Sequence, residues 1–173
     1  MFTIRGMRKA VNLAALVGIA ILGAVAYVGW SATTLGASAS ASFATVRIPE
    51  REYTARVDVA RTREERIRGL SGREELLAGT GMLFLFGMLD QHHIWMRDMR
   101  FSIDIIWIAG GVVVDTHERL PVPAPGTPLE QLPYFNPRPQ ALLAIEVPAG
   151  TVQQYGIAPG QRVDIVFDEG KGS

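Results

Sequence analysis

Between Lys9 and Arg47 the chain carries no charged residue. Inside that gap, Ala10 to Trp30 is an unbroken uncharged stretch rich in Ala, Val, Leu, Ile and Gly. As a helix it would rise about 1.5 Å per residue and reach roughly 30 Å, the thickness of a bilayer core. Asn12 is its strongly polar member and lies near one end; Tyr27 and Trp30 stand at the other, where amphipathic rings favour the interface. Arg5, Arg8 and Lys9 precede the stretch. The positive-inside rule then keeps residues 1–9 in the cytoplasm and places everything after Trp30 outside it. The expected organisation is a basic N-terminus (1–9), a transmembrane helix or signal anchor (10–30), a flexible linker (31–46) rich in Ala, Ser and Thr, and one domain (47–173). The alternative is a signal peptide, with Ala37-Ser38-Ala39 and Ser40-Ala41-Ser42 as small-residue cleavage sites and a secreted product. The apolar run exceeds the usual signal core, which favours the anchor.

With the three N-terminal cations set aside, 14 basic residues face 17 acidic ones. A mildly acidic domain is poorly suited to nucleic acid, which is held by neutralising phosphates. The absence of cysteine excludes disulfides, thiolate nucleophiles and cysteine metal sites. The expected partners are therefore the membrane, through residues 10–30, and a small molecule or an envelope protein.

The domain reads as α+β, mostly antiparallel and barrel-like, with two short helices. Tyr53, Ala55, Val57 and Val59 alternate with Thr54, Arg56 and Asp58, a half-buried strand. Thr62 to Glu65 matches a capping box and starts a helix that Gly69 ends, with Glu64 and Arg68 spaced to pair. Ser71 to Glu74 matches a second capping box, leading a helix to Gly79. Strands are expected at 82–86, 92–96 and 103–108. Gly110-Gly111 then turns a hairpin into a return strand from Val112. Seven prolines between Pro121 and Pro139 predict a long ordered loop or lid without a strand. Further strands are expected at 141–147 and 162–167, with a helical turn at 151–155.

Three blocks of residues, in this order, resemble the DUF192 family over about Tyr53 to Phe167. The first is Gly69-Leu70 with Arg73 and Leu76, leading to Gly81-Met82-Leu83-Phe84-Leu85-Phe86. The second is Trp95-Met96 followed by Ile103 to Ile108. The third runs from Ile145 to Gly150, with Gly156-Ile157 and Pro159-Gly160 after it. Where the family usually has Lys-Asn-Thr, this chain has Arg97-Asp98-Met99, and the usual Gly-Asp near the end is Gly160-Gln161. The resemblance implies a compact β-rich fold and frequent export. It transfers no reaction and no catalytic residues.

Asp104 and Glu146 each sit inside an apolar strand, where an unpaired carboxylate is costly. They are either a paired acid–base site for a hydrolytic enzyme or structural groups held by an arginine or by backbone N–H donors, with Arg73 as the expected partner. Asp115 and Asp164 have similar placement. His92 and His93 are adjacent on an expected strand and point to opposite faces, so they are not expected to share a metal ion; one of them with Asp98 or His117 is the alternative, at a spacing that matches no known metal signature. No metal site and no cofactor are expected. Trp95, Tyr134 and Arg73 are the ligand-binding candidates, Tyr134 because exposed aromatic residues on loops serve binding more often than those on strands. Phe84, Phe86 and Trp107 read as core. Gly69-Leu70-Ser71-Gly72 lacks the glycine spacing of a nucleophile elbow, and Gly79-Thr80-Gly81 lacks the lysine of a phosphate loop. The expected function is a membrane-anchored extracytoplasmic binding or accessory module; the alternatives are a hydrolase using Asp104 and Glu146, or a structural envelope protein.

Overall fold

The computed structural model describes residues 42–168. The basic N-terminus, the apolar stretch Ala10–Trp30 and most of the linker lie outside them. Among the described residues no helix is long and apolar enough to cross a membrane. Nine strands and two short helices follow one another: β1 (Phe43–Ile48), β2 (Tyr53–Ala60), α1 (Arg63–Arg68), β3 (Thr80–Asp90), β4 (Ile94–Trp95), β5 (Ile103–Ala109), β6 (Val112–Leu120), β7 (Tyr134–Phe135), β8 (Ala141–Pro148), α2 (Thr151–Tyr155) and β9 (Asp164–Phe167). Seven strands form one sheet in the order β6-β5-β8-β3-β2-β1-β9, and β4 and β7 form a separate pair. Each adjacent pair is antiparallel except β2 and β3, which are parallel. A parallel pair needs a crossover, and here it is residues 61–79, carrying α1.

The barrel-like expectation is corrected, because the sheet is open. The start of β6 meets the segment before β9 through one isolated bridge, Val112 to Arg162, and three backbone bonds: Val113 N to Gln161 O at 2.9 Å, Gly160 N to Val113 O at 2.8 Å and Val163 N to Gly111 O at 2.9 Å. The turn before β9 makes that contact, not β9 itself, so no ladder closes the sheet. Four residues assigned to the linker, Phe43–Val46, belong to β1, where Ala44 and Val46 are buried.

Alternation divides the core between the two sheet faces. Val46, Val57, Leu83, Ile106 and Ile145 face one side and pack against Val152 and Ile157 at α2. Ala60, Phe84, Ile105, Trp107 and Ala144 face the other and pack against Leu70, Met96 and Met99. Strand β5, between β6 and β8, is buried on both faces along six of its seven residues. It meets β6 through Gly110 and Gly111, whose φ of 58° and 76° suit the hairpin turn the sequence predicts.

Helix α1 starts on the expected capping box: Thr62 Oγ1 accepts from Glu65 N at 3.1 Å, and Glu65 Oε2 accepts from Thr62 N at 2.9 Å. The second expected helix does not form. Ser71 Oγ donates to Arg97 O at 2.7 Å and Gly72 N to Asp98 O at 2.9 Å, so the would-be cap is spent pinning this turn to the segment after β4. The other helix is the turn at Thr151–Tyr155. The loop from Pro121 to Pro139 is irregular apart from a 3-10 turn at Leu129–Gln131 and the two residues of β7.

Candidate functional site

Glu146 and Asp104 lie on neighbouring strands but on opposite faces. Ile105 is the register partner of Glu146, and Val147 that of Asp104. Side chains directly across an antiparallel pair share a face, so adjacent positions 104 and 105 separate the two carboxylates. The paired acid–base arrangement is therefore corrected. Asp104 is fully buried and accepts from three backbone donors: Arg119 N at 2.7 Å, Gly150 N at 3.1 Å and Val152 N at 2.8 Å. It is a structural clasp that fastens β6 and the start of α2 to β5.

Glu146 has no such partners. Only 4% of its surface is exposed, and its Oε2 has no hydrogen-bond partner among the described residues. Burial pushes its carboxyl up to about 8, against the opposing pull of the Arg73 cation. Near neutral pH it is therefore a buried, protonated acid. It forms part of the floor of a cleft of about 230 Å³ on the second sheet face.

Three elements build the walls of this cleft. Phe84 and Phe86 of β3 supply an apolar side, together with Leu70 and Met99. From α1 come Arg63, Arg66 and Arg68. Arg66 is committed to the scaffold, with Nη1 donating to Leu85 O at 2.9 Å and to Arg61 O. Arg63 and Arg68 form no ion pair among the described residues, and the expected Glu64–Arg68 pair is not made. The β4–β7 pair supplies the third side, with His93, Trp95 and Tyr134. Trp95 and Tyr134 are register partners whose rings stack at 5.9 Å and 23°. Tyr134 is 56% exposed, and the Arg97 guanidinium lies 5.9 Å from the Trp95 ring.

The proline-rich loop reaches this place through a buried anchor. Arg138 donates to Asp115 from its backbone N at 2.8 Å and from Nε at 3.1 Å. These bonds, the side-chain one first, hold the Asp115 carboxyl down at about 2. The loop that carries Tyr134 is thus fastened to β6, and the two-residue strand β7 is what the proline count concealed.

Of the candidates, Trp95, Tyr134 and Glu146 come together in one cleft. Arg73 does not line it. Its Nη2 pairs with Asp58 at 2.6 Å, and both line a second, larger recess of about 350 Å³ with Arg56 and Leu77. His92 stacks on Phe86 at 3.8 Å and bonds to Met88 O, while His93 bonds to Asn136 Oδ1 at 2.8 Å. Asp164 pairs with Arg162 on β9, away from the cleft. Among the described residues no group of three His, Asp or Glu side chains could hold a metal ion. Sequence reasoning missed Arg63 and Arg68. Their signal was a run of cations in the helix that directly precedes the first family block.

No curated protein matches the chain. Two solved structures share the fold. A Sinorhizobium meliloti 1021 protein, provisionally described as a transcription regulator, is 25% identical over 73% of this chain and 95% of its own, with a TM-score of 0.61. A Novosphingobium aromaticivorans DSM 12444 protein of unknown function is 27% identical over 70% of this chain and 83% of its own, with a TM-score of 0.60. The family model of DUF192, described as an uncharacterised ACR, matches residues 44–165. That span takes in β1, both helices, the loop and all the residues of the cleft, and the chain belongs to the DUF192 family.

Proposed function

We propose that this protein is an extracytoplasmic binding module, tethered by Ala10–Trp30, that takes a small molecule into the cleft above Glu146. The observation that carries this reading is the unpartnered buried carboxyl. A buried polar atom without a partner costs about 1–3 kcal/mol, and such a cost is retained where the atom serves a ligand. The surroundings agree: apolar side chains of Leu70, Phe84, Phe86 and Met99, a stacked aromatic pair at one edge and polar groups converging with them are what small-molecule sites present. A hydrolase using both Asp104 and Glu146 is not supported, since the sheet separates them and Asp104 is saturated by backbone donors. The transcription-regulator description of one structural relative finds little support in this chain, whose exported part has more acidic than basic residues.

The test is a screen of ring-bearing fragments against the full chain in non-ionic detergent, read by line broadening of the fragment signals. At least one fragment should bind, and Trp95→Ala and Tyr134→Ala should each weaken it several-fold. Unchanged binding in both variants would remove the cleft from consideration. For the tether, a C-terminal alkaline phosphatase fusion should be active in a bacterial host; an inactive, stably expressed fusion would place the domain in the cytoplasm.

A further inference from the structure

The polar equipment of the cleft is one-sided. Its charged side chains other than Glu146 are Arg63, Arg66 and Arg68, all from α1, and of these Arg63 and Arg68 have no ion-pair partner among the described residues. Glu146 lines the same cleft, 4% exposed, with an oxygen that has no partner among the described residues. Phe86, Trp95 and Tyr134 add aromatic surface to the lining, Trp95 and Tyr134 as a stacked pair. A guanidinium fork matches the two oxygens of a carboxylate. An un-ionised carboxyl donates its O–H to an anion and leaves no like charge to repel it. Aromatic walls favour a planar ring in offset-stacked contact. At about 230 Å³ the cleft is smaller than the ~300–1,000 Å³ typical of drug-sized ligands, so the occupant is small.

Resting on the binding-module reading, we infer that the cleft selects a small planar organic carboxylate, with its ring beside Trp95 and Tyr134 and its carboxylate drawn to Arg63 and Arg68 of the same lining. The charges decide the class. A neutral amide leaves the two guanidinium groups unanswered. A cation meets three arginines and can be held only if Glu146 ionises in a site that disfavours charge. A phosphate dianion brings twice the charge into a cleft walled on one side by Phe84 and Met99, where a poorly solvated charge is costly.

Three isosteric probes separate these classes: benzoate, benzamide and benzamidine, titrated at pH 7 into the full chain in non-ionic detergent. Binding is read from saturation transfer to the probe, and its place from the Trp95 indole N–H signal. Benzoate should bind at Trp95 at least tenfold more tightly than benzamide, and benzamidine should not bind there. Arg63→Gln with Arg68→Gln, both side chains at the protein surface, should weaken benzoate about tenfold and leave benzamide unchanged. If benzamide or benzamidine equals benzoate at Trp95, the carboxylate inference is overturned while the binding-module reading stands. Benzoate affinity unchanged in the double variant likewise overturns it. If no probe reaches Trp95, both readings fall.

Discussion

Glu146→Gln keeps the shape of the buried side chain and removes its titration. In the folded protein burial lifts the Glu146 carboxyl from the ordinary 4.5 to about 8. The folded state therefore holds a proton that the unfolded chain releases between those two values. Stability from this group is full below pH 4.5, falls as pH rises, and is lost once pH passes about 8. Each pH unit inside the window is worth about 1.4 kcal/mol, so the wild-type protein loses at most roughly 5 kcal/mol across it relative to the glutamine variant. At pH 7 the variant should be the more stable, by up to about 3 kcal/mol. The charged and titratable groups around Glu146 are Arg73, whose cation opposes the shift, its partner Asp58, the cleft residues Arg63, Arg66, Arg68, His93 and Tyr134, and His117, which shares its register row on β6. These are present in both proteins, so the difference between the two curves isolates position 146. The assay is urea unfolding of the full chain in non-ionic detergent from pH 5 to 9, followed by tryptophan fluorescence. Parallel curves with no widening gap would refute the reasoning, because Glu146 would then be ionised in the fold and satisfied by a cation.

Asp104→Asn should destabilise the domain by about 2–4 kcal/mol in the same assay, since an amide nitrogen would face the N–H groups of Arg119, Gly150 or Val152; ligand binding in the cleft should persist, being on the other sheet face. Gly81→Ala should cost about 1–3 kcal/mol or more, because its Cβ would come within 2.3 Å of Glu146 O, a backbone atom of the neighbouring strand. His117 should titrate below 6.5 by ring NMR. Burial lowers it first, against the opposing Asp115 charge, and Trp107 Nε1 donates to its Nδ1 at 3.0 Å, a bond only the neutral ring accepts. Trp107→Phe should move that midpoint upward, and an unmoved midpoint would count against the bond.

Local patterns were legible in the chain. The alternation from Tyr53 to Val59, the capping box at Thr62 and the Gly110-Gly111 turn each depend on neighbours within a few residues, and each formed as expected. The expectations that failed depended on distant partners. Ser71 has the spacing of a cap, but its hydroxyl is claimed by Arg97 O, 26 residues away. Tyr134 and Phe135 pair as a strand because Ile94 and Trp95 offer them an edge and Arg138 fastens the loop to Asp115. No pattern inside a proline-rich segment carries that information. Closure of the sheet depends likewise on whether the turn before β9 extends its bridge to β6 into a ladder, a matter of register between segments about fifty residues apart.

Asp104 and Glu146 show where sequence reasoning about sites runs out. Both are acidic residues in apolar strands, and the same burial cost applies to each. What separates them is one step of strand register. Position 104 turns toward the loop ends at Arg119 and Gly150, where three backbone N–H groups converge, and a carboxylate there resolves a deficit of acceptors. Position 146 turns toward a face that the crossover, α1 and the β4–β7 pair cover incompletely, and nothing in the fold completes its hydrogen bonds. The first carboxylate is explained by the protein alone. On the binding-module reading, the second answers to a ligand in the cleft, and the unanswered oxygen of Glu146 is then a better pointer to function than the number or spacing of acidic residues.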